Sequence, residues 1–472
     1  MLLTNFTFYI AFLIVFLISL YLRKQRTQLK SFLLVVSYLF YGLIDWRFPI
    51  LLAAITAINF IVGNRLLESD KPKAQKQLLT LAILTSLAIL FYFKYANFFI
   101  DQVTALLGFS IVEREQYLFN VLMPVGISFI TFQAITYPID CYRKHITHST
   151  SLLNFSLFMA FFPQLLSGPI VRASYFIPQL ENIRNIDSKL IYEGFWQIIR
   201  GLIKKIIIAD TLAFHIVNPA FTSPNEFSSV FLVLAIFTFS IQIYMDLSGY
   251  TDIALGLAKM LGYKLPTNFN RPYLATSIAN YWQRWHISMS SFFRDYLYYA
   301  IERWRWCNIY IKLVIIFVAI GFWHGAGWNF ILYGAIHGSL VAFEHYNKLK
   351  REVIGKPLVI FRGAALVVQI IKIFTIVAFT RILFRGDDLT SSYHFMYAIF
   401  NSTSDYTPVT ITSLLLLVIA IIMHILPTSW RDDFSHHIVK VPVFISASLV
   451  TFSIYLMIAF SNKGASFIYF QF

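Results

Sequence analysis

The chain of 472 residues is 58% apolar and only 13% charged, and its mean hydropathy is +0.66. Soluble domains are roughly half apolar and a quarter charged, so this composition excludes a soluble protein and predicts an all-α, polytopic membrane protein. The net charge of +15 does not indicate nucleic-acid binding, because basic residues of membrane proteins collect in cytoplasmic loops and the sequence holds no nucleic-acid-binding motif.

The first part of the chain alternates apolar runs with short polar loops. Arg23 and Lys24 follow the first run, and two further basic loops lie at 65–76 and 140–145, whereas the loop at 102–117 carries a single arginine. By the positive-inside rule the three basic loops are cytoplasmic, so the N-terminus is predicted to lie outside. The apolar runs here are Phe6–Tyr21, Phe32–Leu43, Phe48–Val62, Leu79–Tyr92, Phe119–Pro138 and Leu152–Phe162.

Two segments in the middle of the chain depart from a plain apolar span. The stretch 162–169 contains two prolines and a glycine. Irregular backbone at membrane depth needs protein or a wet cavity to satisfy it, so a re-entrant turn or a cavity lining is predicted, with a surface loop as the alternative. A helix predicted at 191–209 carries Arg200, Lys204 and Lys205, whose charges are expected to reach the cytoplasmic face along their apolar stems.

The apolar run Val230–Met245 ends in a polar stretch that contains Asp246 and Asp252. The two carboxylates could form a general acid and base pair, or they could cap helices and pair with nearby arginines. Capping is the favoured interpretation, because Asp is among the residues preferred at helix N-termini.

A helix rich in aromatic and polar residues is predicted from Ile278 to Tyr299. This mixture suits a helix that lines a polar interior of the bundle, and a helix lying on the membrane surface is the alternative. Its candidate functional residues are Trp282, Arg284, Trp285, His286, Ser288 and Asp295.

The stretch 321–328 places His324 among glycines and tryptophans, between the apolar runs Ile309–Phe322 and Phe330–Phe343. A titratable ring at membrane depth is costly and usually faces a cavity or a polar partner, so His324 is a candidate functional residue. A histidine hydrogen-bonded at a helix end near the headgroups is the alternative. Shortly afterwards, the small residues of Gly334–Gly338 predict close approach of a neighbouring helix.

The C-terminal part adds the spans Phe361–Phe384, Ile411–Ile425 and Val443–Phe460. About eleven transmembrane helices are predicted in total, together with re-entrant and interfacial helices. Neither a soluble domain nor a repeat is visible, so residues 1–472 are predicted to form a single integral membrane domain.

The titratable residues narrow the possible chemistry. The two cysteines, Cys141 and Cys307, lack the spacing of a disulfide framework or a metal site. The sequence also lacks a phosphate-binding loop, a dinucleotide-binding motif and a nucleophile elbow, so no metal and no permanently bound cofactor is predicted.

Two histidines near membrane depth remain, His286 and His324. Histidine has an ordinary pKa of about 6.5, and burial favours the neutral imidazole that a general base needs. A hydroxyl that attacks a thioester could lose its proton to such a base. Small residues beside His324, at Gly325 and Gly327, are expected to let substrates approach the ring.

Several ordered motifs resemble those of the membrane-bound O-acyltransferases (MBOAT). The main ones are Trp282-x-x-Trp285-His286-x-Ser288, Arg294-Asp295-Tyr296-Leu297-Tyr298 and Gly321-x-Trp323-His324-Gly325. They are most similar to the bacterial branch that contains the membrane subunit of alginate O-acetylation. Further matches occur at Tyr38–Phe48, Pro124–Phe129, Ile139–Arg143, Phe162–Arg172, Lys204–Asp210, Asp246–Tyr250 and Asn268–Tyr273.

This resemblance implies an MBOAT fold with a central tunnel, core motifs at 38–345 and additional spans at 358–472. It implies that His324 is the catalytic histidine and that His286 is a second active-site residue. The candidates for lining the tunnel or contacting substrate are Trp282, Arg284, Trp285, Ser288, Asp246, Asp295, Trp323 and Asn329.

The resemblance also implies a reaction. Acetyl-CoA would supply acetyl from the cytoplasm, and acetyl would pass outward to a periplasmic SGNH-type acetyltransferase that modifies alginate, peptidoglycan or cellulose. The protein would then lie in the bacterial inner membrane. The alternatives are the D-alanyl transfer protein of teichoic-acid modification, which uses a carrier-protein thioester, and a transporter or channel.

Overall fold

The computed structural model describes residues 3–120, 122–165, 168–182, 184–357, 359–427 and 441–460. These residues form helices and loops without a β-strand among them, which confirms the all-α class. The first helices are α1 (Phe6–Tyr21), α2 (Arg26–Gly42), α3 (Arg47–Glu68), α4 (Pro72–Leu90), α5 (Ala96–Leu106), α6 (Ile111–Glu115), α7 (Ile127–Tyr142), α8 (Leu152–Ala160), α9 (Phe162–Leu165), α10 (Ala173–Glu181), α11 (Ser188–Leu202), α12 (Asp210–Leu212) and α13 (Asn218–Thr222). The later helices are α14 (Ser229–Met260), α15 (Ile278–Arg284), α16 (Ile287–Phe292), α17 (Tyr299–Ile301), α18 (Ile309–His324), α19 (Trp328–Val353), α20 (Gly363–Arg385), α21 (Leu389–Asn401), α22 (Ile411–Ile425) and α23 (Val443–Ala459).

Within the described ranges, five helical segments are long and apolar enough to cross a bilayer. They are Phe6–Lys24, Arg47–Glu68, Pro72–Leu106, Ser229–Met260 and Gly363–Arg385. Three shorter apolar helices, Ile309–His324, Ile411–Ile425 and Phe444–Ala459, accompany them. The chain is therefore a multi-pass membrane protein. The total of about eleven spans, the central tunnel and the outward N-terminus stay predictions.

Helix bounds agree with the apolar runs where the run is bounded by polar residues, as at Phe6–Tyr21 and Ile411–Ile425. The run Leu79–Tyr92 is only part of the continuous helical segment Pro72–Leu106, which enters the predicted loop at 102–117. Hydropathy detects the apolar part of a helix, whereas the backbone hydrogen bonds continue through polar flanks. The opposite error occurs in the run Phe119–Pro138, whose helix α7 begins only at Ile127.

The stretch 162–169 is not a surface loop in its described part. Phe162 and Leu165, the ends of the single helical turn α9, are 2% and 3% exposed. The backbone N–H of Phe162 donates to the Ser37 hydroxyl at 3.2 Å, and the Gln164 side chain donates to the Phe158 carbonyl at 3.0 Å. Buried protein groups thus bind two polar groups of this irregular segment, while residues 166 and 167 lie outside the described ranges.

The chain divides into two compact units, of which the first comprises 1–198 and 253–266. In this unit α7 packs against α3 and α4, and α8 packs against α2. The hydroxyl of Tyr41 donates to the Val125 carbonyl at 2.7 Å and so fixes the loop before α7.

The second unit comprises 199–252 and 267–472 and contains both candidate histidines. Its closest helix pair is α18 and α19. A β-carbon at Gly321 would collide with the carbonyl oxygen of Phe330, and one at Gly334 would collide with that of Phe317. The predicted small-residue contact is confirmed, and it fixes the end of α18 where His324 lies.

Helix α14 runs unbroken from Ser229 to Met260, although the sequence predicts an end near Met245. Asp246 and Asp252 therefore lie inside a helix and do not cap one, whereas the expected pairing with a nearby arginine is confirmed for Asp252, which Arg200 contacts at 2.7 Å. The polar stretch does not end the helix, because cations from the segment 200–205 neutralise both carboxylates.

These charges form a buried ionic cluster of three basic and three acidic side chains. Lys204 and Lys205 are 8% and 2% exposed, so the expectation that their charges reach the cytoplasmic face is wrong. Paired charges avoid the cost that an isolated ion would have at this depth. The pairs are Lys205–Asp246 at 2.7 Å, Lys205–Asp210 at 2.6 Å, Lys204–Asp252 at 2.8 Å and Arg200–Asp252 at 2.7 Å.

We expect Asp246→Asn to lower the stability of the folded protein by about 3 kcal/mol, because it leaves a buried lysine with one carboxylate fewer. The control is Asp295→Asn, which breaks a pair with Arg294 whose side chain is 64% exposed. Such an exposed pair contributes below about 1 kcal/mol. Thermal unfolding in detergent measures both variants, and equal unfolding midpoints would contradict the role of the buried cluster.

Candidate active site

The backbone breaks at His286, so the prediction of one helix from Ile278 to Tyr299 is wrong. Helix α15 ends at Arg284, Trp285 is extended, and His286 adopts the left-handed conformation with a φ of 45°. A residue with a β-carbon is strained there by about 1–3 kcal/mol and stays so only when its surroundings impose it. Such strained positions occur preferentially at functional sites.

Asn268 imposes this conformation on the C-terminal side of the break. Its carbonyl oxygen accepts from the Ile287 backbone N–H at 2.9 Å. Its side-chain oxygen accepts from the backbone N–H and the hydroxyl of Ser288, at 3.0 and 2.8 Å. The candidate Ser288 is therefore bound to Asn268 and contributes to holding His286 in place.

The two candidate histidines lie against the same indole ring, that of Trp323. The ring centroid of His286 is 5.9 Å and that of His324 is 4.9 Å from this indole, and both contacts are edge-on. Phe384 also contacts the His324 ring, edge-on and with 5.0 Å between the ring centroids. Sequence motifs 38 residues apart thus meet at one aromatic wall, formed by elements of the second unit.

Both imidazoles are 2% exposed. His324 is the last residue of α18, so the helix-end position of the alternative interpretation is correct, but the ring is buried among aromatic side chains. Such surroundings disfavour the imidazolium ion, and a neutral imidazole can accept a proton from an attacking hydroxyl.

Asn329 stabilises the same aromatic wall through the end of α20. Its side-chain amide donates to the carbonyls of Leu383 at 3.1 Å and Gly386 at 2.8 Å, which fixes the end of α20 beside Phe384. The space next to Gly325 is filled by the Phe330 ring, so the expectation that this glycine opens a path for substrates is wrong. Gly327 faces the Asn329 side chain in the same way.

Trp282 contacts a third buried histidine, which the sequence reading missed. The indole N–H donates to Nδ1 of His337 at 3.2 Å, and Nε2 of His337 lies 2.9 Å from the Thr380 hydroxyl. Because indole can only donate, Nδ1 of His337 accepts and its proton is on Nε2. His337 thereby joins α15, α19 and α20 as a neutral structural residue.

The remaining polar candidates bind elsewhere. Asp246 belongs to the ionic cluster, and Asp295 pairs with its neighbour Arg294 at 2.8 Å. Arg284 is half-buried and donates to the Asn280 side chain at 3.0 Å. The structure therefore brings His286, His324 and Trp323 together. It places the side chains of Asp246, Asp295 and Arg284 in other contacts.

Arg271 was also missed by the sequence reading. Like His286, it has a left-handed backbone with a φ of 45°. It interacts electrostatically with Arg284, to which its neighbour Asn270 is bound by a backbone hydrogen bond of 2.9 Å. In the part of the chain that the structure describes, neither guanidinium has a carboxylate partner. The sequence showed that residues 268–273 form a family motif. It did not show that Arg271 of this motif interacts with Arg284.

Two imidazoles are buried against one indole in a chain that contains apolar helices long enough to span a membrane, and a neutral imidazole can take part in proton transfer. The sequence profile of the membrane-bound O-acyltransferase family, MBOAT, matches residues 1–349, so the chain belongs to this family. The protein is therefore a membrane-bound acyltransferase, and the resemblance inferred from the motifs is confirmed.

Relatives with assigned names lie in three groups. The protein named probable alginate O-acetylase AlgI of Azotobacter vinelandii is 35% identical over 407 residues, which cover 85% of this chain and 78% of the relative. The peptidoglycan O-acetyltransferase of Helicobacter pylori is 32% identical over 374 residues, 73% of this chain and 69% of the relative. The teichoic acid D-alanyltransferase of Bacillus subtilis is 30% identical over 246 residues, 48% of this chain and 62% of the relative.

We expect Asn268→Ala to lower acyl transfer at least about tenfold, because a small displacement of a catalytic group is costly in rate. The variant also leaves the buried Ser288 N–H without its acceptor. Asn401→Ala, which changes an exposed asparagine whose side chain donates to the Tyr397 carbonyl of its own helix, is the control and should retain activity. Wild-type transfer by a well-expressed Asn268→Ala protein would show that the break at His286 does not depend on this residue.

Proposed function

We propose that this protein is an O-acetyltransferase of the bacterial inner membrane that moves acetyl from cytoplasmic acetyl-CoA toward an envelope polysaccharide. The observation that carries the proposal is the placement of His286 and His324 against Trp323 in a chain of the MBOAT family. The relatives named for alginate and peptidoglycan O-acetylation support acetyl as the acyl group and a polysaccharide as the final acceptor.

In the proposed reaction the acceptor hydroxyl attacks the thioester carbonyl carbon. The C–O bond forms, the C–S bond breaks, and the hydroxyl proton passes to the neutral imidazole of His324. The same imidazolium then protonates the leaving thiolate, which restores the base. His286 orients the acceptor or relays the proton, because its ring lies on the same indole.

The arginine pair supports a donor that carries phosphate. The positive charges of Arg271 and Arg284 repel each other, and an anion that binds beside them would relieve this repulsion. Guanidinium groups bind phosphate oxygens through two parallel hydrogen bonds. Coenzyme A presents phosphate groups at the end remote from its thioester, and the phosphopantetheine of a carrier protein also presents one.

The length of the aligned region favours acetyl transfer over D-alanyl transfer. The O-acetylating relatives align with 71–85% of this chain, whereas the D-alanyltransferases align with 48–51%. We further propose that a periplasmic SGNH-type acetyltransferase receives the acetyl group and completes the transfer. A transporter or channel is set aside, because membership of an acyltransferase family is established.

We expect His324→Ala to lower O-acetylation of the envelope polymer about 10²–10⁴-fold, the usual contribution of a general base. His286→Ala should cause a large but less complete loss, because an orienting role can be bypassed in part. His394→Ala changes an exposed histidine and is the control. Polymer-bound acetyl is measured in deletion cells that express each variant at equal membrane levels. Full acetylation with His324→Ala would refute the proposed base.

We expect Arg271→Gln and Arg284→Gln each to weaken binding of acetyl-CoA about tenfold, since each removes one charge-assisted contact with phosphate. Arg305→Gln, at an exposed position, is the control. Equilibrium binding of radiolabelled acetyl-CoA to the purified protein measures the Kd. Unchanged affinity in both variants would place the donor phosphates elsewhere, and binding of an acylated carrier protein in preference to acetyl-CoA would favour the D-alanyl alternative.

A further inference from the structure

Arg381 is a buried cation with neutral partners. It lies in α20 and is 2% exposed. A guanidinium at such a position is costly and is normally paired with a carboxylate. Here, among the described residues, it forms no ion pair. Its hydrogen bonds run to the Ser240 carbonyl at 3.1 Å and to the hydroxyls of Tyr273 at 2.5 Å and Tyr281 at 2.7 Å.

Aromatic faces supply the remaining compensation for this charge. The guanidinium carbon is 4.5 Å from the ring centroid of Trp285, 5.1 Å from that of Tyr273 and 6.0 Å from that of Tyr281. The shortest of these distances joins Arg381 to Trp285, and a cation over an indole is the strongest arrangement of this kind. Burial strengthens the attraction, because water does not screen it.

Trp285 is the residue immediately before the left-handed His286. Its ring is also held by Phe269 at 5.1 Å and stacks on Tyr281 at 5.8 Å. Asn268 already fixes the chain on the other side of the break, through Ile287 and Ser288. A strained conformation persists only when the surrounding structure imposes it through several contacts, and Arg381 contributes such a contact on the Trp285 side.

We infer that Arg381 is a positioning residue of the acyl transfer reaction, which keeps His286 in place through its contact with Trp285. This inference rests on the proposed function, because it assumes that His286 takes part in transfer. Arg381 acts through another residue and has no proposed contact with donor or acceptor. It lies outside the region 1–349 that matches the family profile, so the C-terminal part of the chain completes the site.

The competing explanation is that Arg381 only stabilises the packing of α20. The two explanations differ in how stability and activity respond when the charge is removed. Replacing a buried charged residue by an apolar one of similar volume is often neutral or stabilising, provided that its hydrogen-bond partner is removed as well. The double variant Arg381→Met/Tyr281→Phe meets this condition, because the other two partners stay satisfied: the Tyr273 hydroxyl donates to the Ser240 carbonyl. A packing role predicts that activity falls only as stability falls, whereas a positioning role predicts that the two separate.

The test compares Arg381→Met/Tyr281→Phe, Tyr281→Phe alone and Arg381→Lys in the full-length purified protein. The measurements are the thermal unfolding midpoint and the kcat and KM for acetyl transfer from labelled acetyl-CoA, in a reaction that also contains a periplasmic SGNH-type acetyltransferase and a short polysaccharide acceptor. We expect the double variant to lose about 10- to 100-fold in kcat while KM for acetyl-CoA changes less than about twofold and the midpoint does not fall. Tyr281→Phe alone should retain most activity, and Arg381→Lys should restore part of kcat because a cation remains over Trp285.

Two results would overturn the inference. One is wild-type kcat in the double variant, and the other is a loss of kcat that only accompanies a lowered unfolding midpoint. The His324→Ala protein is measured beside these variants, and it separates failure of the Arg381 inference from failure of the proposed function. If His324→Ala is inactive and the double variant is fully active, Arg381 has no positioning role. If His324→Ala transfers acetyl normally, the proposed function itself is wrong.

Discussion

The left-handed backbone of His286 is the constraint on which the candidate site depends. This residue must leave helical geometry for its ring to lie against Trp323, and the strained conformation persists only because neighbours hold both sides. Asn268 accepts the hydrogen bonds that the broken helix leaves open. Arg381 holds the tryptophan before the break. The site is therefore built from three stretches of the chain, 268–288, 323–324 and the part of α20 around Arg381.

Buried charge is handled in three different ways within the second unit. The ionic cluster of Lys204 and Lys205 pairs cations with carboxylates inside long helices. Arg381 uses tyrosine hydroxyls and aromatic faces instead. The candidate histidines lie among aromatic rings, where the neutral form is favoured. The surroundings of the two imidazoles favour their neutral form, which is the form that can accept a proton. The permanently charged side chains, in the ionic cluster and at Arg381, have other partners.

Much of the candidate site could be predicted from the sequence, but not the way in which it is held. His324 and His286 were found because a histidine in an apolar segment is rare and because the surrounding motifs resemble those of MBOAT proteins. Ser288 and Asn329 were expected to line a path for substrates, yet both bind backbone or side-chain groups that support the wall. Asp246 and Asp252 were expected to cap helices and to pair with arginines; the capping is wrong and their lysine partners were not foreseen, because a local polar stretch does not reveal which cations another helix supplies.

The sequence by itself determined the membrane class, the helical architecture and the family, because these depend on composition, on apolar runs and on ordered motifs. Only the tertiary structure decided which residues meet. The left-handed break at His286 interrupts a segment that reads as one helix, since backbone strain follows from contacts and not from residue type. The role inferred for Arg381 also depends on tertiary contacts, because its partners lie about a hundred residues earlier in the chain, at Tyr273, Tyr281 and Trp285.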